Sequence, residues 1–165
     1  MKTPRFAAQT RIESPLGPLT LAATPRGLAL LWFDHQQHRS DAVDAPEDAT
    51  HPHLVQAVRE LQAYWQDART AFTVPLDPQG TPFQQAVWRV LCGIGSGHTS
   101  TYGEVAGRIG KPAAVRAVGA AIGRNPVGII VPCHRVIGRD GSLTGYAGGL
   151  PRKEELLRRE GVLLT

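Results

Sequence analysis

Asn-Pro-Val-Gly-Ile-Ile-Val-Pro-Cys-His-Arg-Val-Ile-Gly, residues 125–138, is the stretch on which the reading of this chain turns. The apolar run 127–131 reads as a buried strand, and Pro132 should end it, because proline cannot donate to a sheet ladder. Cys133 is then presented at the mouth of whatever packs around that strand, with His134 beside it. A thiol is a strong nucleophile only as thiolate, and a neighbouring base is the usual means of producing one. Asn125 stands at the head of the stretch, where on its own it reads as a turn residue.

Upstream, the chain reads as helices. Thr81-Pro82-Phe83-Gln84 has a capping threonine, a proline at the first helical position and a glutamine at the third. Phe83, Val87 and Leu91 form the buried stripe of that helix, with Cys92 near it as a core thiol. Thr101-Tyr102-Gly103-Glu104 reads as a second capping box opening a short helix to about Ile109. Gly110-Lys111-Pro112 makes a tight turn, and a third helix spans about 113–122. Two short helices around such a turn suggest a helix-turn-helix. On the third helix, Val115, Val118 and Ile122 share a face, and Arg116 points away from it. The remaining surface, Ala117 and Ala120 included, is alanine and glycine, which lets a backbone approach a partner closely. Downstream, residues 143–149 form a glycine-rich loop carrying Tyr146, Ala147 and Gly148. Pro151 opens a last helix that ends at Glu160-Gly161.

The first half is different. Leu19–Ala23 and Leu28–Phe33 read as strands between turns, in a strand region spanning 10–33. Residues 34–50 read as a polar loop, and 52–67 as an amphipathic helix with Leu54, Val58, Leu61 and Trp65 facing the sheet. Pro75, Pro78, Gly80 and Pro82 mark a boundary. The expected division is an N-terminal structural domain, 1–76, a linker, 77–82, and a C-terminal functional domain, 83–165. The expected class is α+β: a small N-terminal α/β domain with an antiparallel sheet, then a mostly helical, winged-helix-like domain.

Composition narrows the function. No apolar run approaches the ~20 residues of a membrane span, and the start has no secretory signal pattern. The two cysteines make no disulfide framework, so free thiols in a cytoplasmic setting are expected. Residues 1–80 carry seven Lys/Arg against nine Asp/Glu (−2), whereas residues 81–165 carry eleven against five (+6). The half holding Cys133 is therefore the half that an acidic polymer prefers.

The blocks Phe-Gln-Gln-Ala-Val-Trp (83–88), Thr-Tyr-Gly-Glu-Val-Ala (101–106), Val-Arg-Ala-Val-Gly-Ala-Ala (115–121), the cysteine stretch and Gly-Tyr-Ala-Gly-Gly-Leu (145–150) together closely resemble the O6-alkylguanine-DNA alkyltransferases, suicide DNA-repair proteins. The resemblance runs from about Phe83 to Gly161. Gly95 departs from the family's usual proline, and Thr101 from its common serine.

The resemblance implies direct-reversal repair: irreversible transfer of an alkyl group from O6-alkylguanine, and more weakly O4-alkylthymine, to Cys133. The damaged base must leave the stack to reach a thiolate. In this family the helix matching 113–122 enters the minor groove and the arginine matching Arg116 fills the gap in the stack. His134 acts as base through a water, with Glu160 orienting it. Tyr102 donates to guanine N3, and Asn125 ties the recognition helix to the cysteine strand. Backbone around Cys133, Val136 and Ala147 reads the base edge, and Lys153 lies near the pocket.

The implied partner is double-stranded DNA containing O6-alkylguanine, bound by a monomer that can load cooperatively. No membrane and no cofactor are expected. Some relatives bind zinc through the first domain. Here that half has no cysteine beside His35, His38, His51 and His53, so no metal is expected. Two other readings remain: a non-catalytic protein that binds alkylated bases, whose relatives lack the cysteine, and a helix-turn-helix regulator whose Cys133 senses alkylation.

Overall fold

The computed structural model describes residues 3–37 and 42–164; His38 and the centre of the polar 34–50 stretch lie outside the described residues. The chain forms two compact units, Met1–Gln79 and Gly80–Thr165.

The first unit is built on an antiparallel meander, β1 (Ala8–Ile12), β2 (Leu19–Thr24) and β3 (Gly27–Phe33), in that spatial order. Ser14 closes the first turn by accepting from Leu16 N and donating to Gly17 O at 2.6 Å. Thr24 and Gly27 pair across the second turn. β2 and β3 are apolar and buried at nearly every position rather than at alternate ones. The cause is cover on both faces. Helix α1 (Pro52–Gln66) packs on the sheet, and a second cluster joins Phe6, Ala22, Ala29 and Leu30 to Trp32, Val43 and Ala45.

Both sheet edges are also occupied, which removes unpaired strand surface. Gln9 N donates to Pro46 O and Asp48 N to Gln9 O, both at 2.9 Å, so the end of the expected polar loop lies along β1. On the other side, Leu28 N donates to Pro75 O and Asp77 N to Leu28 O, both at 2.8 Å. Residues 77–79, expected in the linker, therefore belong to the first unit. On α1 the buried face is Leu54, Ala57, Leu61 and Tyr64, while Val58 and Trp65 are half-buried. The contact stripe therefore runs through Ala57 and Tyr64 in place of Val58 and Trp65. Tyr64 packs edge-on against Trp65 and tilted against Phe72.

The second unit opens with α2 (Pro82–Cys92), whose Thr81–Gln84 capping box is complete. Val87, Trp88 and Leu91 are its buried residues, and Trp88 Nε1 donates to Ala121 O at 2.9 Å. Phe83 is half-buried, and Cys92, the last residue of the helix, is exposed rather than in the core. Two short parallel strands follow, β4 (Ser100–Thr101) and β5 (Val136–Ile137). Helices α3 (Tyr102–Arg108) and α4 (Val115–Gly123) form the helix-turn-helix, and α5 (Leu150–Arg159) closes the unit.

The α3 cap is half a box. Thr101 Oγ1 accepts from Glu104 N, but Glu104 Oε2 accepts from Ser100 Oγ, because the Thr101 backbone is engaged in β4. On α4 the buried residues are Val118, Ala121 and Ile122, and Val115, in the first turn, is 40% exposed. The largest departure is 127–131. It is buried as expected, but it is a tight turn and not a strand. Val131 N donates to Val127 O, Ile130 N to Gly128 O, and Ile129 sits at φ 68°.

Gly27 is required by close approach: a Cβ there would lie 2.5 Å from Pro75 O. Gly27→Ala should cost ~1–3 kcal/mol as an overpacked contact that backbone cannot relieve. Gly107, inside α3, has nothing within 4 Å of its Cβ position, so Gly107→Ala should stabilise by ~0.5–1 kcal/mol through helix propensity. Urea unfolding midpoints of the two variants should move in opposite directions.

Candidate active site

Cys133 is the first residue of a 3-10 turn, Cys133–Arg135, and is buried. The preceding turn is what places it. Asn125, just beyond α4, donates through Nδ2 to Val131 O at 2.8 Å, and its Oδ1 accepts from Val127 N at 3.0 Å. One side chain thus clasps both ends of the turn. The clasp holds a β-branched residue, Ile129, in the left-handed region, a conformation costing ~1–3 kcal/mol that persists only where its surroundings enforce it. Cys133 N then donates to Val131 O at 2.8 Å.

His134 has no exposed side-chain surface, and its Nε2 lies 2.8 Å from Glu160 Oε2. Glu160 caps the C-terminus of α5 and is equally enclosed. Arg135 grips the same carboxylate, Nε to Oε1 at 2.8 Å and Nη2 to Oε2 at 2.9 Å, and its Nη1 donates to Ile94 O. Burial pushes His134 below its usual 6.5; hydrogen bonding and charge from Glu160 oppose this, while Arg135 and Lys153 add to it. His134 is thus neutral at pH 7. With a carboxylate as acceptor, its one ring proton is on Nε2. Nδ1 is then a lone pair, and it makes no hydrogen bond among the described residues. A neutral imidazole fixed in that tautomer is equipped to accept a proton.

Lys153 is fully buried and donates to Val136 O at 2.7 Å and to Thr144 O at 3.2 Å. Burial pushes its ammonium down to about 8, and interaction with Cys133 works in the opposite sense. Tyr102, at the start of α3, is half-buried, and its Oη lies 2.6 Å from Thr144 Oγ1. Its ring lies against Gly119 of α4, where a Cβ would be 3.8 Å away. Val136 and Gly148 are buried, and Tyr146 and Ala147 are half-buried. Arg116, Ala117 and Ala120 lie on the exposed face of α4, apart from this bonded network. Among the described residues no group of three His, Cys, Asp or Glu is placed to hold a metal ion.

Family models match nearly the whole chain: the DNA binding domain of 6-O-methylguanine DNA methyltransferase over residues 82–162, and the ribonuclease-like domain of the same family over 8–78. The methylated-DNA--protein-cysteine methyltransferase of Methanosarcina barkeri is 49% identical over 151 residues, covering 90% of this chain and 94% of that protein. The chain belongs to the 6-O-methylguanine DNA methyltransferase family. The protein of the same name from Mycobacterium bovis is 48% identical over 149 residues, 90% of this chain and 89% of that one. Among solved structures, Mycobacterium tuberculosis OGT in complex with DNA superposes with a TM-score of 0.84 at 47% identity, covering 93% of this chain and 92% of that one.

Two residues of the methyltransferase site escape a reading of sequence patterns. Arg135 sits in the motif itself, yet as an arginine in a basic half it reads as another surface charge. Its spacing from Glu160 carries no signal, because the pair meets through folding of α5 onto the Cys133 turn. Thr144 is lost inside a glycine-rich loop, although its hydroxyl lies 2.6 Å from Tyr102 Oη.

The depressed His134 pKa fixes a pH dependence. The unfolded chain takes up the imidazole proton at a higher pH than the folded one. The contribution of His134 to stability is complete above its ordinary 6.5 and is lost as pH falls through the lower folded value. Urea midpoints should therefore begin to fall as pH drops below 6.5 and level off for this group below the folded value, and His134→Gln should flatten this component of the slope.

Proposed function

We propose that this chain repairs DNA by direct reversal, taking an alkyl group from O6-alkylguanine, and more weakly from O4-alkylthymine, onto Cys133. The observation that carries the reading is the placing of Cys133 directly before a buried, neutral His134 whose Nε2 is anchored 2.8 Å from Glu160. Proton acceptance at Nδ1, relayed by a water, converts the thiol to thiolate. The sulfur attacks the alkyl carbon, the C–O6 bond breaks, and its electron pair passes to the guanine ring. Tyr102 donates its phenolic proton to ring N3 and neutralises the leaving base. The product thioether has no group to cleave it, so each protein acts once.

The base must be flipped from the duplex to reach the buried sulfur. The exposed Arg116, on a helix surface of Ala117 and Ala120, suits insertion into the stack it leaves. Backbone of Cys133, Val136 and Ala147, with Tyr146 and Gly148, forms the wall for the extruded base, and Lys153 supports it from beneath. Asn125 holds the presenting turn to the recognition helix. The Met1–Gln79 unit serves as structural support. The protein acts as a monomer on double-stranded DNA in the cytoplasm, and adjacent copies can load cooperatively. Among the described residues no helix is long and apolar enough to cross a membrane. A non-catalytic base-binding role is disfavoured by the presence of Cys133 and of the base beside it.

With a duplex labelled on the O6-methyl group, one label per protein should be transferred, and Cys133→Ser should abolish transfer while duplex binding persists. Label on Cys92, or more than one turnover per protein, contradicts the assignment.

Arg116→Ala should slow reaction with duplex DNA far more than reaction with free O6-alkylguanine base, since a free base needs no flipping. Comparing the second-order rate constants of both substrates checks this, and equal losses place Arg116 elsewhere in the mechanism.

A further inference from the structure

Tyr102 Oη and Thr144 Oγ1 are 2.6 Å apart, a short hydroxyl–hydroxyl hydrogen bond. A phenol carries one proton and an acceptor oxygen, and a threonine hydroxyl can donate or accept. If Tyr102 gives its proton to Thr144, it has none left for a substrate. If Thr144 donates instead, the phenolic proton is free to point elsewhere and the phenolic oxygen is stabilised as that proton departs. The two arrangements differ by rotation of two hydroxyl hydrogens, with no movement of heavy atoms.

The surroundings hold Thr144 in place. Lys153 Nζ donates to the Thr144 carbonyl, and the same Nζ donates to Val136 O. Just before it, Gly138 N donates to Ser142 O at 2.8 Å, and Asp140 Oδ1 accepts from Ser142 N, so the turn leading to Thr144 is closed on itself. On the other side, the Tyr102 ring is limited by its position at the first turn of α3 and by Gly119 of α4. Both partners are therefore fixed before any base arrives, which is what preorganised electrostatic catalysis requires.

We propose that Thr144 is a positioning residue for alkyl transfer: its hydroxyl donates to Tyr102 Oη, aiming the phenolic proton at guanine N3. This rests on the role of Tyr102 given above. When the C–O6 bond breaks, the ring takes the Tyr102 proton at N3, and the Thr144 hydrogen bond holds the negative charge left on the phenolic oxygen. The proton that His134 removed from Cys133 restores the phenol through solvent, so proton and charge balance over the cycle.

The test measures second-order transfer rates for Thr144→Val, Thr144→Ser and Tyr102→Phe. Each is assayed on a duplex bearing O6-methylguanine and on one bearing O6-methyl-3-deazaguanine, which has carbon in place of N3. Thr144→Val should slow the normal substrate by roughly three- to ten-fold, the worth of one neutral hydrogen bond. Thr144→Ser should stay within about two-fold of wild type, since it keeps the hydroxyl. On the 3-deaza substrate, Thr144→Val should match wild type. Equal losses on both substrates, or failure of serine to restore the rate, would show that Thr144 merely shapes the loop. A slow Tyr102→Phe beside an unaffected Thr144→Val overturns this inference alone. A Tyr102→Phe as fast as wild type removes the role of Tyr102, and the inference with it.

Discussion

The Glu160 carboxylate is the point on which the site depends. It is enclosed at the end of α5, and it accepts from His134 and, twice, from Arg135. A charge removed from water is tolerable only when it is closely paired. Here the pairing fixes three things together. It closes α5 onto the Cys133 turn, it links that turn through Arg135 to the Ile94 carbonyl after α2, and it sets the tautomer of His134. Burial is the main reason His134 remains neutral beside a carboxylate, and the Arg135 charge on the same carboxylate works in the same direction.

A second constraint works on the other side of the sulfur. Asn125 binds both ends of the 127–131 turn and keeps Ile129 at φ 68°. Local strain of this kind is stable only inside a packed shell, and Val127, Ile129 and Val131 are almost wholly buried. Since Asn125 follows directly on α4, the helix carrying Arg116 and the turn carrying Cys133 share one anchor. The positions of that helix and of Cys133 are thus coupled over a few residues of chain.

Much of this was legible in the sequence where local chemistry dominates. The Thr81 and Thr101 caps, the turn between α3 and α4, and the end of α5 at Glu160-Gly161 are signalled by side chains that act within three or four residues. The cysteine motif puts Cys133 and His134 side by side, and the structure keeps both buried there. Legibility fails where tertiary bonds decide. Residues 127–131 carry the composition of a buried strand, and only the Asn125 clasp makes them a turn. Val115 has the spacing of a core residue but belongs to the exposed start of α4. The Arg135 fork and the Thr144 hydroxyl join residues 25 and 42 positions from their partners, where no periodicity reaches.

The central claim is that Cys133 receives the alkyl group. Incubating the protein with an O6-methylguanine duplex and analysing its peptides by mass spectrometry tests this most directly. The account predicts a gain of one methylene on the peptide containing Cys133, complete at one equivalent of DNA and stable thereafter. An unmodified Cys133 peptide alongside demethylated DNA would contradict it.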